Sequence, residues 1–266
     1  MPFASRPGGL ELYYEVHGDG PTLLLVSGTG HDHTFWFGQL PFFRARYRCV
    51  VFDNRGMGQS GVPPPGYRLA DMADDAAAVL DAAGVARAHV MGFSMGGHIS
   101  QELCLRHPER VLSLGLHHTW ARNCPRLGTF QAARKRLAEA GDMASLADIS
   151  ILGLYAHDYF DRHPDELEQK RAWLIECSGP ALGWIGQLEA CLTCDTLDRL
   201  EQIRVPTLLS ASSHDLIVGT HPAREMNTRI GGSRLEILEG TGHVALIEEP
   251  ERFARLCLSF LDAQPR

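Results

Sequence analysis

Compact apolar runs recur along the chain at 11–18, 22–28, 48–53, 89–93, 111–118, 206–212 and 234–240, punctuated by Gly, Asp and Pro. The first alternates apolar with polar residues, as a half-exposed strand does. The rest, such as "TLLLV" and "VLSLGL", are continuous enough to be buried on both faces. Between them, 69–85, 96–111 and 251–263 carry apolar residues at helical intervals. Strands of this kind separated by amphipathic helices predict an α/β chain with a mostly parallel central sheet flanked by helices.

The pattern changes between Trp120 and about Leu200, where helix-like periodicity continues without a strand. Helices are expected over 129–140, 144–157, 164–178 and 181–194, broken at Gly141, Pro164 and Gly179-Pro180. The expected organisation is therefore a core of 1–119 and 201–266, with 120–200 inserted as a helical lid over the C-terminal edge of the sheet. An independent helical domain is the other reading, but no linker-like stretch flanks the segment. A chain of 266 residues with 44% hydrophobic and 21% charged content can bury one large core.

Charge narrows the partners. The net charge is −7 and the 25 Lys and Arg residues are dispersed, so there is no basic stripe for nucleic acid. No apolar run approaches the ~20 residues needed to span a bilayer, and the N-terminus lacks a basic stretch followed by an apolar core. The expectation is a cytoplasmic monomer or homodimer that meets a small-molecule substrate, without membrane or nucleic acid. The seven cysteines are odd in number and scattered, which suits reduced thiols. Cys191-Leu-Thr-Cys194 has redox or metal spacing but no second pair or His cluster nearby, so no metal is expected.

"MGFSMGG" (91–97) raises a sharper question. G-x-S-x-G is short enough to arise by chance, and Ser94 could be an ordinary Ser in a Gly-rich loop. Its setting argues otherwise, because the strand-like "HVMGF" precedes it and the helix-like "GGHISQELCLRH" follows, as a nucleophile elbow requires. Gly92 and Gly96 lack the Cβ that would keep strand and helix apart at such a turn. The helix N-terminus also favours negative charge developing beside Ser94.

A serine hydroxyl needs a base, and the base needs an orienting group. Of thirteen histidines, His243 stands in the Gly-rich loop after the last strand, whereas His89, His98, His107 and His163 lie within or at the ends of strands and helices. Asp215, in "SASSHDLIV", directly follows the strand that resumes the sheet. The order Ser94, Asp215, His243 is that of an α/β-hydrolase triad, with the carboxylate fixing the imidazole tautomer. The backbone N–H groups of Met95 and of Thr29, in the Gly-rich loop "SGTGHDHTFW", are the expected oxyanion donors. His31 and His33 of that loop line the pocket or are solvated.

These residues resemble the α/β-hydrolase superfamily over nearly the whole chain. "DNRGMGQSG" (53–61) is similar to its D-x-R-G-x-G-x-S loop, and "GHVALIEEPERF" (242–253) to its G-H-x(4)-E-x-P segment. Ser27-Gly28 stands where the oxyanion loop often reads His-Gly, an exchange to which a backbone donor is indifferent. Within the superfamily the chain resembles the oxoadipate enol-lactonase and aminoacrylate-hydrolase group, on length, four-helix lid and the run at 117–141 entering it. The resemblance implies a cofactor-free, metal-free hydrolase acting on a small acid derivative. Ser at the elbow departs from the Asp of haloalkane dehalogenase and epoxide hydrolase relatives.

The expected activity is cleavage of an ester, lactone or related acyl bond through an acyl-enzyme. C–C bond hydrolysis or perhydrolysis by the same triad is an alternative, and a non-catalytic ligand sensor is one of another class. Trp36, His118, Trp120, Arg122 and Trp184 are candidate substrate contacts. Phe35, His117, Tyr155, Tyr159 and Trp173 could likewise line a cleft or simply fill the core. Arg122 and Arg126 could pair with a substrate carboxylate or be solvated.

Overall fold

A computed structural model describes residues 2–177 and 179–264. The first part of the chain forms β1 (Phe3–Arg6), β2 (Leu10–His17), β3 (Thr22–Val26), α1 (Leu40–Phe43), β4 (Arg48–Phe52), α2 (Leu69–Ala82), β5 (Ala88–Phe93), α3 (Met95–Arg106) and β6 (Val111–His117). An all-helical stretch follows: α4 (Pro125–Glu139), α5 (Met143–Leu154), α6 (His157–Arg162), α7 (Pro164–Glu176) and α8 (Ala181–Thr193). The chain ends with β7 (Thr207–Ser212), α9 (His221–Arg229), β8 (Arg234–Leu238), α10 (Ala245–Glu248) and α11 (Pro250–Leu261).

The strands form one eight-stranded sheet in the order β1-β2-β4-β3-β5-β6-β7-β8. Pairing is antiparallel for β1 with β2 and β2 with β4, and parallel from β4 onward. Every residue of β5 and β7 is buried, so these runs carry no alternation. The non-consecutive order β4-β3-β5 places the C-terminal ends of β3 and β5 side by side at the centre of the sheet. That is the switch point where open parallel sheets bind ligands.

The four-residue β1 escapes the sequence pattern because it is an edge strand with a single fully buried side chain, Ala4. The helix expected over 144–157 is two helices. Tyr155 and Ala156 are extended (ψ 148° and 151°), which lets Leu154 C=O accept from Val244 N–H at 3.1 Å and Ala156 N–H donate to Glu248 at 2.8 Å. The insertion therefore breaks where it is tied to the loop carrying His243. The helix expected from 129 begins at Pro125, whose missing N–H suits a first helical position. α7 ends at Glu176, and residue 178 of the stretch expected to be helical lies outside the described residues. Among the described residues, no helix is long and apolar enough to cross a membrane.

Candidate active site

Ser94 joins β5 to α3 with φ 55° and ψ −120°, a positive φ that costs a residue bearing a Cβ of order 1–3 kcal/mol. Its neighbours hold it there: Ser94 N–H donates to His117 C=O at 2.9 Å, and Ser94 C=O accepts from Thr119 Oγ1 at 2.7 Å and Gly97 N–H at 2.9 Å. The flanking glycines make the approach sterically possible. A Cβ on Gly92 would lie 2.2 Å from Gly96 O, and one on Gly96 would lie 2.2 Å from Val26 O.

His243 stands in the turn between β8 and α10, and its Nδ1 is 2.8 Å from Asp215 Oδ2. Both side chains are buried. Asp215 Oδ1 accepts from the N–H groups of Ile217 (2.8 Å) and Val218 (2.9 Å), so the carboxylate is fully engaged. Burial alone would raise the pKa of Asp215. The adjacent His243 and the Val218 amide outweigh it and hold the carboxyl below its ordinary range. With Nδ1 bonded to Asp215, Nε2 is the free ring nitrogen of His243.

The His243 loop is itself clamped. Glu248 accepts from Gly242 N–H at 3.0 Å and Ala156 N–H at 2.8 Å, joining the loop to the helical insertion. Burial nevertheless pushes the Glu248 carboxyl up. These two bonds give the Glu of the G-H-x(4)-E-x-P segment a positioning task.

The 27–33 loop after β3 lies against the elbow, where a Cβ on Gly28 would come 3.2 Å from Ser94 Cβ. Among the described residues neither Thr29 N–H nor Met95 N–H has an acceptor, although both residues are buried. The loop is fixed from below and above. Asp53 Oδ1 accepts from His33 N–H and lies 2.7 Å from His33 Nδ1, Asn54 Nδ2 donates to Ser27 C=O at 3.0 Å, and Gln187 of α8 accepts from Gly30 N–H at 3.0 Å. Asp32, His33 and Asp53 approach closely enough to resemble a metal site, yet Asp53 also accepts from Gln59 N–H at 2.7 Å. The D-x-R-G-x-G-x-S segment thus acts as a brace for the 27–33 loop.

Ser94, Thr29 and His243 line a small chamber of about 20 Å³, room for roughly one water molecule. Its roof comes from the insertion: Gln131 and Arg134 of α4 and Leu154 of α5. His31 and Leu154 also border a groove of about 870 Å³ between α5, α7 and the α1 region. His31 donates from Nδ1 to Thr29 C=O at 3.1 Å, stacks on Trp173, and is pulled down to about 4 by burial.

Of the residues expected to meet substrate or line a cleft, Phe35, Tyr155 and Trp173 border the groove, whereas Trp36, His118, Trp120, Arg122 and Trp184 border neither the groove nor the chamber. Trp36 is fully buried in the core. Trp120 donates to Cys194 Sγ at 3.1 Å, so the Cys191/Cys194 spacing serves packing. His118 sits behind His243 with Nε2 2.7 Å from Ser212 Oγ. Trp184 packs over Gly30, where a Cβ would lie 2.0 Å from its ring. Arg122 pairs on the surface with Asp195 (2.7 Å) and Asp198 (3.0 Å), while Arg126 donates to Leu216 C=O. Of the two readings open for Arg122 and Arg126, the surface one fits these contacts: both are engaged on the outside of the fold.

Sequence reasoning passed over Gln131 and Arg134. Their signal was present, since Leu127, Gln131, Arg134 and Ala138 form the buried stripe of α4 and two of its four members are polar.

The fold and the site define an α/β hydrolase. The family model for the alpha/beta hydrolase fold matches residues 21–250, and the chain belongs to that family. A curated protein of Azorhizobium caulinodans assigned as carbamate hydrolase RutD is 34% identical over 260 residues, covering 98% of both chains. Among solved structures, the enol-lactonase of Burkholderia xenovorans superposes with a TM-score of 0.91 at 28% identity, over 98% of this chain and 100% of that one. A malate-bound thermophilic esterase from Thermogutta terrifontis gives 0.88 at 28% identity, over 98% and 96%. The protein is a hydrolytic enzyme of this family.

Proposed function

We propose that the protein is a serine hydrolase that cleaves a small acyl compound, an ester, lactone or carbamate, through a covalent acyl-enzyme. The observation that carries this reading is the buried 2.8 Å Asp215–His243 contact, with His243 and Ser94 lining one chamber. Ser94 Oγ bonds to the acyl carbon as its proton passes to His243 Nε2, and Asp215 stabilises the imidazolium. The carbonyl electron pair moves onto oxygen, which accepts from the N–H groups of Thr29 and Met95. On collapse the bond to the leaving oxygen or nitrogen breaks, and that atom takes the proton from His243. Water then adds to the acyl carbon with His243 again as base, and the proton returns to Ser94 Oγ as the acid leaves.

The small chamber supports short acyl groups, with entry from the groove past His31 and Leu154. The names of the relatives, a carbamate hydrolase and an enol-lactonase, support C–N or C–O acyl cleavage. The seven free thiols support a reducing, cytoplasmic setting, with the chain acting as a monomer or homodimer.

Ser94→Ala is expected to lower kcat on p-nitrophenyl esters by about 10³-fold or more and to abolish labelling by a fluorophosphonate. An Ala variant with wild-type turnover would refute the mechanism.

A further inference from the structure

Arg134 of α4 is a buried lid cation whose described neighbours do not balance its charge. Its side chain is 5% exposed. Nε donates to Ser150 Oγ at 3.1 Å and Nη1 to Gln131 Oε1 at 3.0 Å, both neutral acceptors. The guanidinium carbon stands 4.9 Å from the centre of the Trp184 ring and 5.3 Å from that of Phe130. Among the described residues no carboxylate pairs with it, and Nη2 makes no hydrogen bond.

A buried guanidinium without a counter-ion is costly, which is why buried charges are normally paired. Here the burial pulls its pKa down to about 10, so the charge persists at neutral pH. Arg55, whose side chain is also largely buried, has its counter-ion, with Nε 2.6 Å from Asp75 Oδ2. Arg134 lines the same chamber as Ser94 and His243.

We infer that Arg134 is the anion subsite of this hydrolase, taking a carboxylate that the substrate carries a short distance from its scissile carbonyl. This rests on Ser94 being the nucleophile only for the position of the carbonyl. The guanidinium fork suits a carboxylate, and the flanking rings and neutral acceptors hold it in place when the site is empty. Because Arg134 and Ser94 line the same small chamber, the carboxylate and the scissile carbonyl of the substrate are placed a short chain apart. The class is therefore a monoester, amide or lactone of a short dicarboxylic acid, or a similarly short acyl compound bearing a free acid.

The test compares p-nitrophenyl hydrogen succinate with p-nitrophenyl butyrate, an uncharged ester of similar length. Wild type is expected to prefer the succinate ester. Arg134→Gln is expected to lower kcat/KM on it by about 100-fold and on the butyrate much less, so that the preference collapses towards one. Arg134→Lys should restore part of the preference, because it keeps the charge and loses the fork. Calorimetric titration with succinate supplies a readout free of turnover: Ser94→Ala should bind it, and the same variant carrying Arg134→Gln should not. Absence of a succinate preference in wild type, equal losses on both esters, or succinate binding that ignores Arg134 would each overturn the inference. If Ser94→Ala kept full turnover while succinate binding still required Arg134, the nucleophile assignment would fall and the anion subsite would stand.

Discussion

The elbow and the chamber roof face each other across Ser94, and they are built in opposite ways. At the β5–α3 junction the structure depends on atoms that are missing, because Gly92, Gly96 and Gly28 allow backbone to meet backbone or the Ser94 side chain. Across the chamber, α4 and α5 depend on atoms that are present: Gln131, Arg134 and Leu154 line the space above Ser94. On the proposed mechanism, the first arrangement sets what chemistry occurs and the second sets what undergoes it. Substitutions on the two sides should therefore fail differently, with loss of turnover on the elbow side and loss of discrimination on the roof side.

The largest effect is expected at Asp215. Asp215→Asn replaces the acceptor of the His243 Nδ1 proton with an amide and favours the wrong tautomer, so kcat should drop by about 10³- to 10⁴-fold while the fold persists. Its carboxyl is held below the usual range in the folded protein. The stability linked to that group is thus complete above the unfolded value and is lost as pH falls through the depressed folded value. Acid titration of the unfolding free energy should show this slope in wild type and a shallower one in Asp215→Asn. A variant retaining wild-type kcat would break the division of labour between the two regions.

Gly96→Ala tests the elbow by steric means alone. The added methyl would lie 2.2 Å from Val26 O and 2.6 Å from Ser27 O, atoms of a central strand end that has no room to retreat. A destabilisation of about 2–3 kcal/mol is expected, measurable by denaturant titration, together with reduced turnover. Gly38→Ala is the control, since nothing lies within 4 Å of its Cβ position and stability should hardly change.

This contrast also explains what the sequence revealed. Elbow residues are legible because strain and close approach demand particular residue types at fixed spacing, so Gly92, Ser94 and Gly96 announce themselves. Asp215 and His243 follow because each occupies the first turn after a strand whose apolar run is unmistakable. The roof is less legible, since helical periodicity locates α4 without saying that its buried stripe faces a chamber and not the core. In the sequence Arg122 is a cation near the lid entrance, whereas Arg134 lies within the charged run "ARKRL". Only packing separates them, because Arg134 is 5% exposed and has no carboxylate partner among the described residues, whereas Arg122 lies among surface acids.

The smallest effect is accordingly expected at Arg122. Its partners Asp195 and Asp198 are themselves about half and three-quarters exposed, and exposed pairs of this kind contribute little because water and salt screen them. Arg122→Ala should leave the unfolding midpoint, the turnover of neutral esters and the preference for p-nitrophenyl hydrogen succinate essentially as in wild type. Ester assays run beside Arg134→Gln give the sharpest comparison, because both variants remove one guanidinium from the helical insertion or its entrance. Equal loss of the succinate preference in the two would mean that long-range field, not contact inside the chamber, selects the anion. Raising the ionic strength would then erase the preference for both, since an exposed charge acting at a distance is screened within about 10 Å at 0.1 M salt whereas a guanidinium buried beside Ser94 is not.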